Sequence, residues 1–117
     1  EAKMDPIYLI RADLTGANLQ SANLQNAVMH EANLTEAIMH KTYLINSSLN
    51  GSNLRNADLS GAVLDSANLG RADLRGANLQ SANLQNTDLA NAKYDGDTKW
   101  PQNFNPETAG AIFLIHE

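Results

Sequence analysis

Residues 17–26 read Ala-Asn-Leu-Gln-Ser-Ala-Asn-Leu-Gln-Asn, and residues 77–86 repeat the same ten letters. The recurring unit is a pentad in which a small residue, then usually Asn or Asp, precedes a central apolar residue. Eighteen central positions follow one another without interruption from Leu9, and Leu fills fifteen of them. The other three hold Met or Tyr. A fixed period of this kind is the sequence signature of a repeat architecture in which each unit stacks on its neighbours.

A spacing of five fits neither a helix nor a flat strand. On an α-helix, five residues advance about 140° past a full turn, so the central residues would spiral around every face. On a strand, successive centres would alternate between opposite faces. The centres share one interior only if the chain turns once per pentad. We therefore predict an all-β solenoid in which four pentads close a coil, with parallel pairing between coils.

Each position of the pentad has the chemistry that such a tube needs. Leu fills the axis, Ala or Ser beside it fits the little space that remains, and Asn, Asp and Gly suit the tight corners. The pattern carried by residues 17–26 and 77–86 resembles the pentapeptide-repeat family, whose members fold as right-handed quadrilateral β-helices. The resemblance covers about residues 7–96 and implies a rod of about four and a half coils.

The chain divides into three predicted parts. These are an N-terminal lead-in over residues 1–6, the β-helix over residues 7–96 and a C-terminal capping tail over residues 97–117. Solenoid ends expose unpaired backbone, so they need a cap or they stack on another molecule. Little precedes the first coil, and Tyr8 and Ile10 add apolar surface there. The sequence therefore leaves two states open, a monomer or an end-to-end dimer through the N-terminal coil.

The tail has the composition of a cap. Asn105 suits a helix N-cap and the Pro that follows suits the first helical residue, which predicts a short helix near residues 106–114. We expect this helical and aromatic tail to cover the last coil. The predicted cap residues are Trp100, Phe104, Ile112 and Phe113. The run Trp-Pro-Gln-Asn-Phe-Asn-Pro-Glu also resembles a tail that follows the repeats in cyanobacterial family members.

The repeats carry no recognisable catalytic motif. The chain has no Cys, which excludes a thiolate metal site and a cysteine nucleophile. Neither a nucleotide-binding loop nor a hydrolase motif occurs. His30 and His40 stand two pentads apart, on opposite sides of a four-sided coil, so they cannot share a metal ion. We expect no catalytic residues, no cofactor and no metal site, and a convex rod offers a poor cleft for an enzyme.

Charge and hydropathy limit the partners. A net charge of −5 argues against nucleic acid, and no apolar run is long enough to span a bilayer. A protein partner is the remaining expectation. The sequence carries no address signal, so the compartment stays unknown; the cytoplasm is favoured, with the periplasm and the thylakoid lumen as alternatives.

A few outward positions break the polar rule of the surface. Tyr43, Ile45 and Val63 fall on one side of the predicted tube, because Tyr43 and Val63 are one coil apart. Val28 and Ile38 are also apolar but lie on other sides. Such residues suit strands in general, so strand propensity alone is one explanation. The other is that Tyr43, Ile45 and Val63 form a small patch that binds a protein partner.

The sequence thus favours a non-enzymatic scaffold or protein-interaction module. The alternative comes from family members that mimic DNA and inhibit or protect DNA gyrase, a mechanism that the resemblance ties to a strongly negative shaft. Residues 7–96 hold eight acidic against six basic residues, a net charge of −2. A DNA duplex of similar length carries more than about ten charges, so the charge argues against this alternative. A purely structural or luminal role in a photosynthetic bacterium overlaps with the scaffold hypothesis.

Overall fold

The computed structural model describes residues 6–115. Parallel β-bridges join each pentad to the one a coil later, as in Tyr8↔Val28, Val28↔Ser48 and Ser48↔Asn68. The predicted closure of a coil by four pentads is therefore confirmed. The predicted lead-in lies outside the described residues except for Pro6, as do His116 and Glu117 of the predicted tail.

Each pentad ends in a hydrogen-bonded turn. The N–H of Ala12 donates to Leu9 O at 3.1 Å, and the same bond recurs in every pentad through Leu89. The third residue of each turn has positive φ, as a type II turn requires. Glycine takes this position at Gly16 with φ 68°, but Arg11 and Glu36 adopt it too, with φ of 58° and 60°.

The residue before each centre has a different role from the corner role predicted for Asn and Asp. Asn18 Oδ1 accepts the N–H of Gln20 at 3.1 Å, and Asn78 Oδ1 accepts the N–H of Gln80 at 3.0 Å. This local Asx turn aims the chain into the corner. The positive φ falls three residues later in the pentad, at a position that also accepts Ser, Lys and Arg.

The interior is a stack of central residues with small side chains beside them. The centres from Met29 to Leu79 are fully buried. Thr42 takes an interior position that usually holds Ala, and its buried hydroxyl is satisfied because it donates to Leu19 O of the preceding coil at 2.8 Å. Thr87 bonds in the same way to Leu64 O at 2.8 Å. The tube is thus narrow and filled alike in successive layers.

The ladder continues past the predicted boundary at residue 96, with one extra residue. Asn78 pairs with Lys99, and the N–H of Leu79 donates to Lys99 O at 2.7 Å. Trp100 therefore takes the next central position, above Leu79. Thr98 stands in the small position before it and donates to Leu74 O at 2.8 Å, just as the interior threonines do.

The remainder of the tail forms a strand where a helix was predicted. Strand β1 is Lys93–Tyr94 and strand β2 is Ile112–Phe113, and the two pair in parallel. No helix occurs between residues 6 and 115, so the helix predicted near residues 106–114 is wrong.

No helix forms because only four residues separate the N-cap residue Asn105 from Gly110. Asn105 Oδ1 does accept the N–H groups of Glu107 and Thr108, at 3.0 and 3.3 Å. Gly110, at φ 93°, then stops the chain after a single turn, which is too short for a stable helix. The chain beyond it bonds to β1 instead, where the N–H of Ile112 donates to Ala92 O at 2.7 Å.

Candidate functional site

The predicted patch occupies one side wall in the middle of the rod. Tyr43 and Val63 form a bridge between adjacent coils, with the N–H of Leu44 donating to Val63 O at 2.7 Å. Tyr43 is 48% exposed, while Ile45 and Val63 are partly buried. The structure thus places Tyr43 and Val63 side by side, with Ile45 two residues further along the same side.

Polar residues border this patch above and below. The column that contains Tyr43 and Val63 begins with Asn23 and continues to Asn83. Asp65 stacks above Ile45, because the N–H of Asn46 donates to Asp65 O at 3.0 Å. Its Oδ1 atom is buried and has no hydrogen-bond partner among the residues described. The patch is therefore an apolar island with a carboxylate at its edge.

A second apolar group lies at the N-terminal end, on another side of the rod. Tyr8 is 69% exposed and pairs with Val28 in the next coil, and Ile10 is exposed beside it. The sequence already indicated apolar surface at Tyr8 and Ile10, and the coil interval that relates Tyr43 to Val63 adds Val28 to this group. Ile38, also exposed, lies alone on a third side and pairs with Asp58.

The aromatic residues of the tail gather around Tyr94. Trp100 and Phe113 contact the Tyr94 ring edge-on, with centroids 5.5 and 5.4 Å away, and Phe104 stacks on Trp100 at 5.2 Å. Trp100 and Phe104 pack against the core. Phe113 remains 49% exposed and Ile112 45% exposed.

Ile112 takes a different place from the other predicted cap residues. It pairs with Lys93, and Lys93 holds the outward position before a centre. The side chain of Ile112 therefore belongs to the outer wall, whereas Phe113 pairs with Tyr94 and continues the central column.

Ionic contacts on the wall are local pairs. Arg11 Nε donates to Glu31 Oε1 at 2.7 Å, and this hydrogen bond with the Arg11 charge lowers the pKa of Glu31. Burial by itself would raise the pKa of Asp73, but hydrogen bonds from Arg75, one of them at 2.6 Å, outweigh it and the pKa is lowered. Arg55 adds a weaker contact to the same carboxylate at 3.9 Å.

The described surface brings no reactive set together. Shallow grooves are lined by Arg55, Arg75 and Asp95 at one place and by Asn68 and Arg71 at another. Within residues 6–115 no three His, Asp or Glu residues are grouped so that they could hold a metal ion. None of the described segments forms a helix that is long and apolar enough to cross a membrane.

Comparison with known proteins gives the class of the molecule. The family of pentapeptide repeats matches residues 12–51, 42–80 and 57–93, which together span more than half of the sequence. The chain belongs to this family, and its fold is the right-handed quadrilateral β-helix. No relative is found among curated proteins.

Two cyanobacterial structures are similar over most of the chain. The pentapeptide-repeat protein alr5209 from Nostoc PCC 7120 is 36% identical with a TM-score of 0.87, over 95% of this chain and 100% of its own. Rfr23 from the cyanobacterium Cyanothece 51142 is 41% identical with a TM-score of 0.82, over 84% of this chain and 67% of its own.

A more distant structure shares the fold alone. QnrB1, a plasmid-mediated fluoroquinolone resistance protein, is 11% identical with a TM-score of 0.51 over 94% of this chain and 68% of its own.

Proposed function

We propose that this chain is a non-enzymatic scaffold or interaction module that binds a protein partner through its side wall. In this proposal the rod has about four and a half coils and is closed at its C-terminal end by the aromatic tail. The observation that carries the proposal is the stack of Tyr43 on Val63, which interrupts a column that is otherwise Asn.

The patch has the features of a small recognition surface. Tyr43 offers a large ring with little conformational freedom, a type of side chain that is enriched at the centres of interfaces. Ile45 and Val63 lie on the same wall and are held by the backbone ladder, so binding would order little of the chain. Asp65 supplies a negative charge next to them. A partner segment that joins an apolar side chain to a cation or an N–H donor fits this arrangement.

The rod shape supports a role without catalysis. The Arg11–Glu31 pair is exposed, and the mostly buried Asp73 pairs with the partly exposed side chains of Arg75 and Arg55. Ion pairs that stay in contact with solvent have structural effects of about 0–1 kcal/mol. The grooves are lined by amides, Arg and Asp. Nucleophilic catalysis uses a nucleophile beside a base, and these groove residues do not form such a pair.

The alternative of a DNA-mimicking gyrase inhibitor has less support. The repeats carry a net charge of only −2, whereas a mimic must reproduce the dense charge of the duplex. Similarity to QnrB1 at 11% identity concerns the fold and not the partner.

The test is quantitative capture of partners from a lysate of the source organism, with three baits. The first is the wild-type chain and the second is Tyr43→Glu/Ile45→Glu. The third, Gln25→Glu/Gln85→Glu, adds the same charge to exposed positions of the column that contains Ile45. A thermal melt of each bait establishes that it is folded.

A protein that the wild type and the Gln variant retain, and that the Tyr43→Glu/Ile45→Glu bait loses by tenfold or more, supports the proposal. Equal capture by all three baits would place the site elsewhere on the rod. If no protein is enriched by any bait, strand propensity explains the patch and a structural role is favoured. Capture of DNA gyrase would restore the alternative.

A further inference from the structure

The wall that holds the patch passes through four successive coils, and its backbone can be compared from one coil to the next. In the lowest of these coils, Asn23 Oδ1 accepts the N–H of Gln25 at 3.1 Å. In the highest, Asn83 Oδ1 accepts the N–H of Gln85 at 3.0 Å. Both of these Asx caps lie on the exposed face of the wall. The N–H of the residue after each centre is therefore directed at the outer surface.

The two middle coils lack this cap. Tyr43 and Val63 hold the position of the capping Asn, but Val63 has no acceptor atom and the Tyr43 hydroxyl stands at the far end of its ring. The N–H groups of Ile45 and Asp65 donate no hydrogen bond to any residue between 6 and 115. Successive coils are about 4.8 Å apart. The patch therefore presents two unpaired donors, one above the other, beside its apolar side chains.

The two missing caps have no compensation within the chain itself. An Asx cap satisfies a backbone donor that otherwise depends on solvent. The ring of Tyr43 gains little from burial in exchange, because the residue is 48% exposed. Residues that break a local rule without a gain in the folded chain are expected at functional sites. The exchange of two caps for two apolar side chains thus points to a partner that uses both the donors and the ring.

The charge of the wall limits what this partner can be. Within residues 23–25, 43–45, 63–65 and 83–85 the only charged side chain is that of Asp65. It forms no ion pair with the described residues, and its buried Oδ1 atom has no hydrogen-bond partner among them. A carboxylate that is not already neutralised attracts a cation and repels an acidic segment.

We propose that the patch binds an extended, basic segment of a protein partner, an inference that rests on the proposed function. Main-chain carbonyl groups of the segment accept the N–H groups of Ile45 and Asp65. An apolar side chain of the segment packs on Tyr43 and Val63, and a neighbouring Lys or Arg pairs with the Asp65 carboxylate. An extended segment suits the site because its carbonyl groups are not occupied by internal hydrogen bonds, whereas those of a helix are.

The experiment begins with a library of random linear peptides displayed on phage. The bait is the wild-type chain, and peptides that also bind the variant Tyr43→Asn/Val63→Asn are removed. This variant restores the residue that the neighbouring coils use at both positions, so it should keep the fold and cap the two donors. A thermal melt of each bait establishes that it is folded.

The selected peptides are then measured by fluorescence anisotropy at low and at high salt against further variants. Asp65→Gln introduces the residue that stands at positions 25 and 85 of the same column, so it removes the charge with little other change. Glu36→Gln is the matched control, because it removes one carboxylate from an exposed corner elsewhere on the rod.

We expect the selected peptides to combine Lys or Arg with an apolar residue and to be poor in Asp and Glu. Tyr43→Asn/Val63→Asn should weaken binding by about tenfold or more. Asp65→Gln should weaken it by about fivefold and remove most of its salt dependence, while Glu36→Gln leaves both unchanged. Amide exchange at Ile45 and Asp65 should slow in the complex.

Three outcomes would overturn the proposal, and they differ in what they mean for the patch. Peptides without a basic residue, or equal binding to Asp65→Gln and Glu36→Gln, would exclude the basic segment while the patch remains a binding site. Unchanged amide exchange at Ile45 and Asp65 in the complex would exclude binding through the main chain. A selection without any peptide specific for the wild type would exclude a linear segment, and lysate capture then tests the proposed function separately.

Discussion

The Thr and Ser residues that fill the small interior position differ in the hydrogen bonds that their hydroxyl groups make. Thr42 and Thr87 donate to a carbonyl of the preceding coil, and Ser47 donates to Leu44 O of its own turn at 2.7 Å. Ser52, one pentad after Ser47, is just as buried, but its Oγ has no hydrogen-bond partner among the described residues. A buried hydroxyl without a partner retains its desolvation cost.

Ser52→Ala should therefore stabilise the protein by about 1 kcal/mol, because it removes an unsatisfied polar group. Ser47→Ala is the matched control, since it removes a satisfied hydroxyl from the same position of the preceding pentad, and it should destabilise by about 1 kcal/mol. Urea unfolding measures both values. Equal shifts in the same direction would show that the two hydroxyls have the same surroundings.

Glycine at the third turn position matters where coils stack closely. Gly76 has φ 73°, and a Cβ built there would overlap Asn56 Oδ1 of the preceding coil. Gly16 has φ 68° and nothing within 4 Å. Gly16→Ala should cost about 1 kcal/mol, the strain of a left-handed alanine, and Gly76→Ala should cost at least about 1 kcal/mol more because Asn56 must move. Thermal unfolding of both variants tests this; an equal cost would mean that Asn56 rotates away freely.

On one side of the rod, Asp73 and Arg75 of a single pentad form an ionic contact. Asp73 receives two hydrogen bonds from the Arg75 guanidinium, and the sequence interval alone would have paired Arg75 with Asp95 of the next coil. Asp95 instead accepts the N–H of Gly76 at 3.1 Å. Arg75 pairs with Asp73, two residues before it, rather than with Asp95, because the Asx turn already directs the Asp73 carboxylate at the Arg75 backbone.

This contact should make stability depend on pH. The pKa of Asp73 is lowered from its ordinary value of 3.8, so the folded protein binds fewer protons than the unfolded chain near that pH. The contribution is present above pH 3.8 and is lost as the pH falls below it. Asp73→Asn should cost about 1 kcal/mol at neutral pH, since solvent screens the pair, and the difference from wild type should vanish in acid.

A double-mutant cycle with Arg75→Gln isolates that contribution, measured by urea unfolding at neutral pH and at successively lower pH values below 3.8. Coupling that is present at neutral pH and absent in acid agrees with the ion pair. Coupling of the same size at all these values would attribute the effect to packing of the Arg75 side chain.

The period predicted the repeated elements and failed where the period ended. One turn per pentad follows from the spacing of Leu, whereas the closure of a coil by four pentads is what the resemblance to the family implies. Together they give the interval of twenty residues that placed Tyr43 beside Val63. The tail has no period, so local propensity was the only guide, and it favoured a helix after Asn105. Pairing of β2 with β1 depends on an edge that only the finished rod provides. The extra residue before Trp100 likewise could not be predicted from the five-residue period.

At the scale of the whole molecule, the C-terminal end of the rod is distinguished by its aromatic tail. The tail adds Trp100 to the central column above Leu79, and Tyr94, Trp100 and Phe104 form an aromatic cluster against the core. A solenoid end without a cap exposes unpaired backbone and tends to stack on another molecule. We therefore propose that the tail keeps the C-terminal ends of separate rods from stacking on one another.

Removal of residues 99–117 should expose Leu84 and Leu89 at the end of the core and free the edge above β1. The truncated rod then has an open face at its C-terminal end, so it should aggregate or stack on other copies, observed by sedimentation velocity and light scattering. A truncated chain with the stability and association of the wild type would mean that the aromatic tail does not close the rod.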